Sequence, residues 1–212
     1  MATFKYRTIA EDRELLDQAN QLKDEANASY SKQEYINAAK LYHRCLLLVK
    51  SCAGTPLGEM FASLGDPDSD GAGEQTGVSE ERENIKKEAS HVVAKCYNNL
   101  AACILARNDR KPSDYERAVD YCQRVLNEDK DNEKALYRTG IAYMRMEKYG
   151  KAVDFLSKCP NNRDAAQQVI VCQQKLRDDR IAREEVIRRN FAKAQAREQG
   201  QQNPSSNGNL LQ

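Results

Sequence analysis

The sequence contains no tryptophan and little of several other residues that mark common protein classes. Its 212 residues include only 4 Phe, 10 Gly, 5 Pro and 2 His. So few chain-breaking residues favour long helices over many short strands joined by turns. The two histidines, His43 and His91, lie in no Cys/His metal pattern and have no evident partner for general-base catalysis. The composition therefore predicts an all-α chain that is not an enzyme.

Neither sign of charge dominates the chain. The 33 Lys and Arg residues oppose 32 Asp and Glu residues, for a net charge of +1. This balance supplies no long-range field to attract nucleic acid or acidic lipid. The longest apolar runs, 45–49 and 102–106, are far too short to span a bilayer, and the N-terminal segment lacks the apolar core of a secretion signal. We expect a cytoplasmic protein that binds neither nucleic acid nor membrane.

Cysteine is the exception to these shortages, but its pattern excludes common metal sites. The chain has 7 cysteines, an odd number, with no C-x-x-C pair and no nearby histidine pair. Most of them lie in apolar helical patterns, where a free thiol behaves as a small hydrophobic group and suits a reducing compartment. The glycine-containing stretch 65–73 lacks the lysine and the flanking strand of a nucleotide-binding loop. We expect no metal and no cofactor.

Apolar residues that recur every three or four positions predict seven helices. The predicted ranges are 11–30, 34–50, 79–107, 112–127, 132–146, 149–158 and a seventh after Pro160. Residues 51–79 hold six of the ten glycines and no Lys or Arg, which predicts an acidic, mobile loop that ends where Ser79 caps the next helix. Residues 1–11 are predicted to form an N-terminal tail.

The C-terminal part of the sequence changes character after Leu176. The apolar stripe of the seventh helix weakens there, and opposite charges stand four residues apart. This pattern predicts an exposed, charged helical extension over 177–198. The polar, glycine-containing segment 199–212 is predicted to be disordered.

The first three helix pairs share a pattern of small residues. Ala26, Ala101 and Gly140 occupy one position of the first helices, and Ala38, Ala118 and Ala152 occupy one position of the second helices. A tyrosine precedes each second-helix alanine by three residues, at Tyr35, Tyr115 and Tyr149. The two small positions are 12 residues apart in the first and third pairs and 17 apart in the middle pair, which fits an insertion at 107–111. The sequence therefore contains three repeats of about 34 residues, interrupted by longer segments.

Three stretches of these repeats resemble a known family. They read LKDEANASYSKQEYINAAKLY at 22–42, YNNLAACILA at 97–106 and NEKALYRTGIAY at 132–143. They resemble the tetratricopeptide repeats of co-chaperones, including the immunophilins that carry such repeats. A short chain with a glycine-containing insertion after the first hairpin resembles the tetratricopeptide repeat protein 9 family more closely. The resemblance implies a superhelix of three helix pairs over 12–176 with a capping helix. Only about eleven residues precede it, so no isomerase activity is expected.

The resemblance also implies a binding site. In members that dock on heat-shock chaperones, the concave groove holds the terminal Glu-Glu-Val-Asp of the chaperone in a carboxylate clamp. The matching residues here are Lys23, Asn27, Asn99, Lys134 and Arg138. A spacing of four residues puts Lys23 and Asn27 on one helix face, and likewise Lys134 and Arg138. The two carboxylates of a terminal Asp need several converging donors. Asn98 competes with Asn99 for its role, but Asn99 is preferred because it stands two residues before Ala101. The predicted function is a monomeric, non-catalytic adaptor for the tails of cytosolic heat-shock chaperones.

Several alternatives stay open. The groove could instead bind an internal segment of a cytoskeletal or signalling partner, and amidation of the partner's C-terminus would discriminate the two. Four tyrosines either line the groove or pack helices together: Tyr30, Tyr97, Tyr137 and Tyr143. The Arg-rich helix 177–197 is either a solvated face or a site for an acidic partner such as calmodulin. The acidic segment 64–76 is either a plain insertion or a competitor for the clamp.

Overall fold

The structure, a computed structural model, describes residues 7–52, 74–107 and 110–202. Within these ranges the chain forms helices and no strand, so the all-α prediction is confirmed. The helices are α1 (Ile9–Ser31), α2 (Tyr35–Cys52), α3 (Glu74–Leu105), α4 (Pro112–Glu128), α5 (Glu133–Arg145), α6 (Tyr149–Leu156) and α7 (Arg163–Gln202).

The helices stack so that each contacts only its near neighbours. Every helix packs against the next one along the chain, and the odd-numbered helices also pack against one another in succession. Within the described ranges the backbones of the even-numbered helices α2, α4 and α6 do not pack directly against one another, although the rings of His43 on α2 and Tyr121 on α4 meet edge to face. This nearest-neighbour arrangement is that of a solenoid. It places the odd-numbered helices along one face and the even-numbered helices along the other.

The small residues of the repeat lie where paired helices approach most closely. All six predicted small positions are buried, and their five alanines are fully so. At Gly140 of α5 an added Cβ would stand 2.5 Å from Leu156 Cγ and 3.3 Å from the carbonyl oxygen of Ala152, both on α6. A side chain at this position would therefore push the two helices apart. The small-residue pattern marks the contact between helices within each pair.

The turns that close the first and third pairs have the same geometry. Gln33 and Glu147 adopt left-handed φ angles of 63° and 59°. In both turns the amide of the following residue donates to the carbonyl oxygen five residues earlier, at 2.9 Å. Left-handed backbone is uncommon for residues other than glycine, so its recurrence at equivalent positions reflects a shared unit. The turns thus support the repeat independently of the helices.

Two helices begin earlier than the sequence analysis predicts. The predicted tail 1–11 overlaps α1, because Thr8 forms a capping box with Glu11: the Glu11 amide donates to Thr8 Oγ1 at 3.2 Å and the Thr8 amide to Glu11 Oε2 at 2.7 Å. Helix α3 begins at Glu74 and not at Ser79, so the predicted helix start was wrong. A single glycine, Gly77, costs a helix only about 1 kcal/mol and does not end it. Residues 53–73 of the predicted loop lie outside the described residues.

The seventh helix covers the end of the array and then leaves it. Ala165 and Cys172 are fully buried, and α7 packs against α6 and α5. Every residue from 173 to 198 is exposed, which confirms the predicted exposed extension. Leu176, predicted to lie on the apolar stripe, is 38% exposed. The helix runs on to Gln202, so predicted disorder from 199 was wrong over these residues. Helix propagation adds a hydrogen bond per residue, and no proline interrupts it before Pro204.

Candidate peptide-binding groove

A polar cavity of about 210 Å³ opens where α1, α2, α3 and α5 meet. Helix α1 contributes three lining residues, α3 two, and α2 and α5 one each: Asn27, Tyr30, Ser31, Asn99, Ala102, Tyr42 and Arg138. Three of the five predicted clamp residues therefore lie in one cavity, although they are far apart in sequence. None of the described lining residues is acidic. The cavity offers hydrogen-bond donors and positive charge to an anionic group.

A network of hydrogen bonds joins the first two repeats at the cavity wall. The Tyr42 hydroxyl donates to Asn27 Oδ1 at 2.7 Å, and Asn99 Nδ2 donates to the same oxygen and to the Tyr42 hydroxyl at 3.1 Å each. Burial raises the pKa of Tyr42, so its hydroxyl remains a donor at neutral pH. Because Asn27 Oδ1 accepts both bonds, the amide orientation is fixed and Nδ2 remains the donor end of that side chain. The network orients both asparagines.

Arg138 of α5 supplies the positive charge in the cavity. Its side chain is partly buried, and its Nη1 atom is buried with no hydrogen-bond partner among the described residues. Burial lowers the pKa of this guanidinium, but an arginine remains charged at neutral pH. A buried donor without a partner costs roughly 1–3 kcal/mol. Because Arg138 also lines the cavity, its charge would attract an anion bound there.

The two predicted lysines do not line the cavity but stand one helical turn from residues that do. Lys23 precedes Asn27 by four residues on α1, and Lys134 precedes Arg138 by four on α5, so each shares a face with its partner. Lys23 Nζ donates to Asn20 Oδ1 at 2.7 Å and lies 3.6 Å from an Asp24 carboxylate oxygen, with 15% of its side chain exposed. Lys134 is exposed. Lys134 therefore extends the positive surface beyond the cavity, whereas the charge of Lys23 is largely buried and lies beside Asp24.

Asn98 and Asn99 have different surroundings. Asn98 is buried, and its Nδ2 donates to Asn132 Oδ1 at 3.2 Å. The same oxygen accepts from the Ala135 amide at 3.1 Å and caps the start of α5. Asn98 thus supports the helix that carries Arg138, whereas Asn99 faces the cavity. Of the two asparagines, only Asn99 is placed to touch a ligand there.

Sequence reasoning missed Tyr42 as a site residue. Its helical spacing marks it as a core residue, and it is indeed almost fully buried. The position of its hydroxyl depends on the packing of α2 against α1 and α3, which periodicity does not encode. Of the four tyrosines considered for the groove, Tyr30 lines the cavity, whereas Tyr143 packs against Phe155 with ring centroids 5.6 Å apart. Tyr97 lines a different cavity.

The described cysteines include a buried pair, Cys45 and Cys96, whose sulfur atoms lie 3.4 Å apart, and the hydrogen bond from Cys96 lowers the pKa of Cys45. Six are free and buried, and no group of three His, Cys, Asp or Glu residues in these ranges is placed to hold a metal ion. Burial raises the pKa of both Cys103 and Cys122 to about 11, so these thiols stay protonated near neutral pH. None of the described helices is both long enough and apolar enough to cross a membrane.

Stacked helical hairpins with small residues at their contacts, and a polar cavity on the odd-numbered face, define a tetratricopeptide-repeat protein. Over 155 residues the chain is 35% identical to tetratricopeptide repeat protein 9C of Xenopus tropicalis, covering 72% of this chain and 77% of that protein. The chain therefore belongs to the tetratricopeptide repeat protein 9 family, as the sequence predicted. No family model matches the chain.

Solved structures share the fold. The C-terminal tetratricopeptide domain of an FK506-binding protein from Plasmodium falciparum superposes with a TM-score of 0.58 at 24% identity, covering 84% of this chain and 99% of that domain. The Hsp90 co-chaperone Cns1 of Saccharomyces cerevisiae gives a TM-score of 0.58 at 19% identity, covering 87% of this chain and 46% of the yeast chain. The predicted superhelix and the similarity to immunophilin-type repeats are confirmed.

Proposed function

We propose that this protein is a non-catalytic adaptor that holds the C-terminal carboxylate of a partner protein in the cavity between α1, α3 and α5. The observation that carries the proposal is the buried Nη1 atom of Arg138, which has no partner among the described residues in a cavity without a described acidic side chain. A carboxylate at this point would accept a charge-assisted hydrogen bond from Arg138. It would also lie beside the oriented amides of Asn27 and Asn99.

A C-terminal aspartate suits this groove better than a single internal carboxylate. Such a residue carries two carboxylates, and each has two acceptor oxygens. The cavity provides the Arg138 cation and the Nδ2 group of Asn27, whereas Asn99 Nδ2 already donates to Asn27 Oδ1 and to the Tyr42 hydroxyl and would exchange one of these bonds for the ligand. Lys23 and Lys134 stand about one helical pitch, roughly 5 Å, along the same faces. The cavity residues and the two lysines together give donors for both carboxylates. An internal segment would lack the main-chain carboxylate and use fewer of them.

We further propose that the partners are cytosolic heat-shock chaperones that end in Glu-Glu-Val-Asp. All five residue types of the chaperone clamp occur at the matching positions, Lys23, Asn27, Asn99, Lys134 and Arg138. The similarity in fold to an Hsp90 co-chaperone supports the same class of partner. The two glutamates before the last dipeptide would add charge attraction to the lysines at the groove edge.

Calorimetric titration with the pentapeptide Met-Glu-Glu-Val-Asp tests the proposal. We expect one peptide to bind per chain, and Arg138→Ala or Lys134→Ala to weaken binding by roughly 1.5–3 kcal/mol, about ten- to a hundredfold. Arg44→Ala and Lys40→Ala are matched controls, because both side chains are exposed on α2 and line neither cavity. These control variants should bind like the parent protein.

The amidated peptide separates a terminal clamp from binding of an internal segment. Amidation removes the main-chain carboxylate but keeps the sequence, so the clamp predicts a loss of at least tenfold in affinity. Equal affinity for the free acid and the amide, with no effect of Arg138→Ala, would instead indicate a groove for internal segments. Failure of the peptide to bind at millimolar concentration would refute the clamp.

A further inference from the structure

A second cavity, of about 280 Å³, opens between α2 and α4. Its lining includes Leu46, Leu47 and Lys50 of α2, Tyr97 of α3, and Tyr121 and Arg124 of α4. The backbones of α2 and α4 do not pack directly, so the cavity occupies the gap that the repeat leaves between consecutive second helices. We call the cavity that these residues line the outer cavity.

The outer cavity faces away from the proposed carboxylate site. Tyr97 lines the outer cavity, whereas Asn99 lines the cavity of the proposed carboxylate site. The two residues are two positions apart on α3. Two residues along an α-helix correspond to a rotation of about 200°, so the cavities open on opposite sides of α3. None of the five proposed clamp residues lines the outer cavity. A ligand bound here would leave the carboxylate site free.

The wall of the outer cavity is apolar and aromatic. Tyr97 and Tyr121 are stacked with ring centroids 5.8 Å apart and planes at 25°. His43 meets the edge of this pair, with its ring centroid 6.0 Å from that of Tyr121. Leu47 at the cavity is 71% exposed, although neighbouring Leu46 is buried. An exposed leucine beside a cavity offers apolar area that the core of this chain does not use.

Two cations flank this apolar wall. Lys50 Nζ lies 5.9 Å and Arg124 Cζ 5.5 Å from the centroid of the Tyr97 ring. Neither forms an ion pair with a described residue, and no described lining residue is acidic. Burial, and then the charge of Arg117, lower the pKa of His43, so the fixed positive charge at neutral pH comes from the two cations. Apolar area between unpaired cations complements an acidic segment with an apolar anchor.

We propose that the outer cavity binds an acidic peptide segment of a partner protein, which inserts one large apolar side chain between α2 and α4. Its flanking carboxylates pair with Lys50 and Arg124, while the anchor contacts Leu47 and Tyr121. A single-stranded nucleic acid fits less well, because its bases need a free aromatic face. The Tyr97 ring is already stacked on Tyr121, and the cations of Lys50 and Arg124 lie over it.

Calorimetry with the peptide acetyl-Glu-Asp-Leu-Phe-Asp-Glu-amide tests this inference on the full chain. Both ends are blocked, so binding does not require the carboxylate clamp. We expect the double variant Lys50→Glu/Arg124→Glu to lose at least tenfold in affinity, and Leu47→Asp to lose a similar factor. Because Leu47 is mostly exposed, that variant tests the anchor without disturbing the core. Added salt should weaken binding to the parent protein.

Matched controls separate the outer cavity from general electrostatics and from the clamp. Lys40→Glu/Arg44→Glu makes the same change in charge on the same helix outside the cavity, and it should change affinity less than threefold. Arg138→Ala should leave this affinity unchanged while it weakens the free-acid chaperone peptide. Peptides with Phe and Leu replaced by Gly, or with all acids replaced by amides, should each bind at least tenfold more weakly.

Four results would overturn the inference. They are absence of binding at 1 mM peptide, equal losses in the two charge-reversal variants, an unchanged affinity of Leu47→Asp, and tighter binding of an oligothymidylate than of the peptide. A concentration-dependent dimer that Lys50→Glu/Arg124→Glu dissociates would assign the cavity to a second copy of the chain instead. Circular dichroism of each variant verifies that the helical fold is retained.

Discussion

Replacing Arg138 with methionine should stabilise the protein while it weakens peptide binding. The guanidinium is charged, and its Nη1 is buried without a partner among the described residues, which costs roughly 1–3 kcal/mol. Methionine has similar length and no unsatisfied donor, so it removes this cost without opening a large cavity. For a chain of this size 1 kcal/mol changes the melting temperature by about 2–4 °C. We therefore expect Arg138→Met to melt about 2–12 °C higher than the parent protein.

Thermal denaturation followed by circular dichroism, with and without the chaperone peptide, measures both effects. Peptide at a hundred times the parent's Kd should stabilise the parent protein by about 2.7 kcal/mol and Arg138→Met, which binds ten- to a hundredfold more weakly, by only about 0.4–1.4 kcal/mol. Arg44→Met, at an exposed site, should shift stability by less than about 0.5 kcal/mol. If Arg138→Met melts lower than the parent while Arg44→Met does not, the guanidinium stabilises the free protein, and the argument for an unpaired ligand-binding cation fails.

Three further outcomes follow from the structure. Gly140→Ala should destabilise the protein by about 1–3 kcal/mol, because its Cβ would meet Leu156. Gly150→Ala should be neutral or stabilising by up to about 1 kcal/mol, because nothing lies within 4 Å of the added Cβ. Urea denaturation of the two variants measures both changes in stability. The raised pKa values of Cys103 and Cys122, about 11 against 9 for an ordinary thiol, mean that the stability they contribute is complete below pH 9 and is lost as pH rises through 11. Denaturation at pH 8–11 should show this fall, and replacing both thiols with alanine should flatten it. A chelator such as EDTA should leave the melting temperature unchanged, and a large decrease would reveal a structural metal.

The repeat architecture could be predicted because its determinants are local. Small residues at Ala26, Ala101 and Gly140 recur at one position of the first helices, and a helix pair needs them wherever its backbones touch. The helix ends were less predictable. The capping box at Thr8 is readable as a T-x-x-E pattern, but the start of α3 at Glu74 depends on helix propagation through a glycine, which has no sharp sequence signal.

For the candidate site, the sequence nominates residues but does not predict how their side chains interact. The resemblance to chaperone-docking repeats is enough to nominate Asn27, Asn99 and Arg138, because residue type can be matched position by position on successive first helices. That Asn98 instead supports the start of α5, and that Tyr42 holds the two cavity asparagines, depends on how side chains from separate helices meet. A one-residue step on a helix turns a side chain by about 100°, so neighbouring asparagines of equal chemistry acquire different roles.

The sequence by itself determined the all-helical class, the three repeats, the capping and exposed parts of the last helix, and the identity of the candidate clamp residues. The class, the repeats and the last helix follow from periodicity and composition, which act within one or two turns of a helix, whereas the clamp residues follow from the resemblance to chaperone-docking repeats. Only the tertiary structure decided that Arg138 retains a buried donor with no partner among the described residues, and that Lys50 and Arg124 flank an apolar cavity on the opposite side of α3. Both features arise where three or more helices converge, because burial and the supply of hydrogen-bond partners are properties of packing between distant segments.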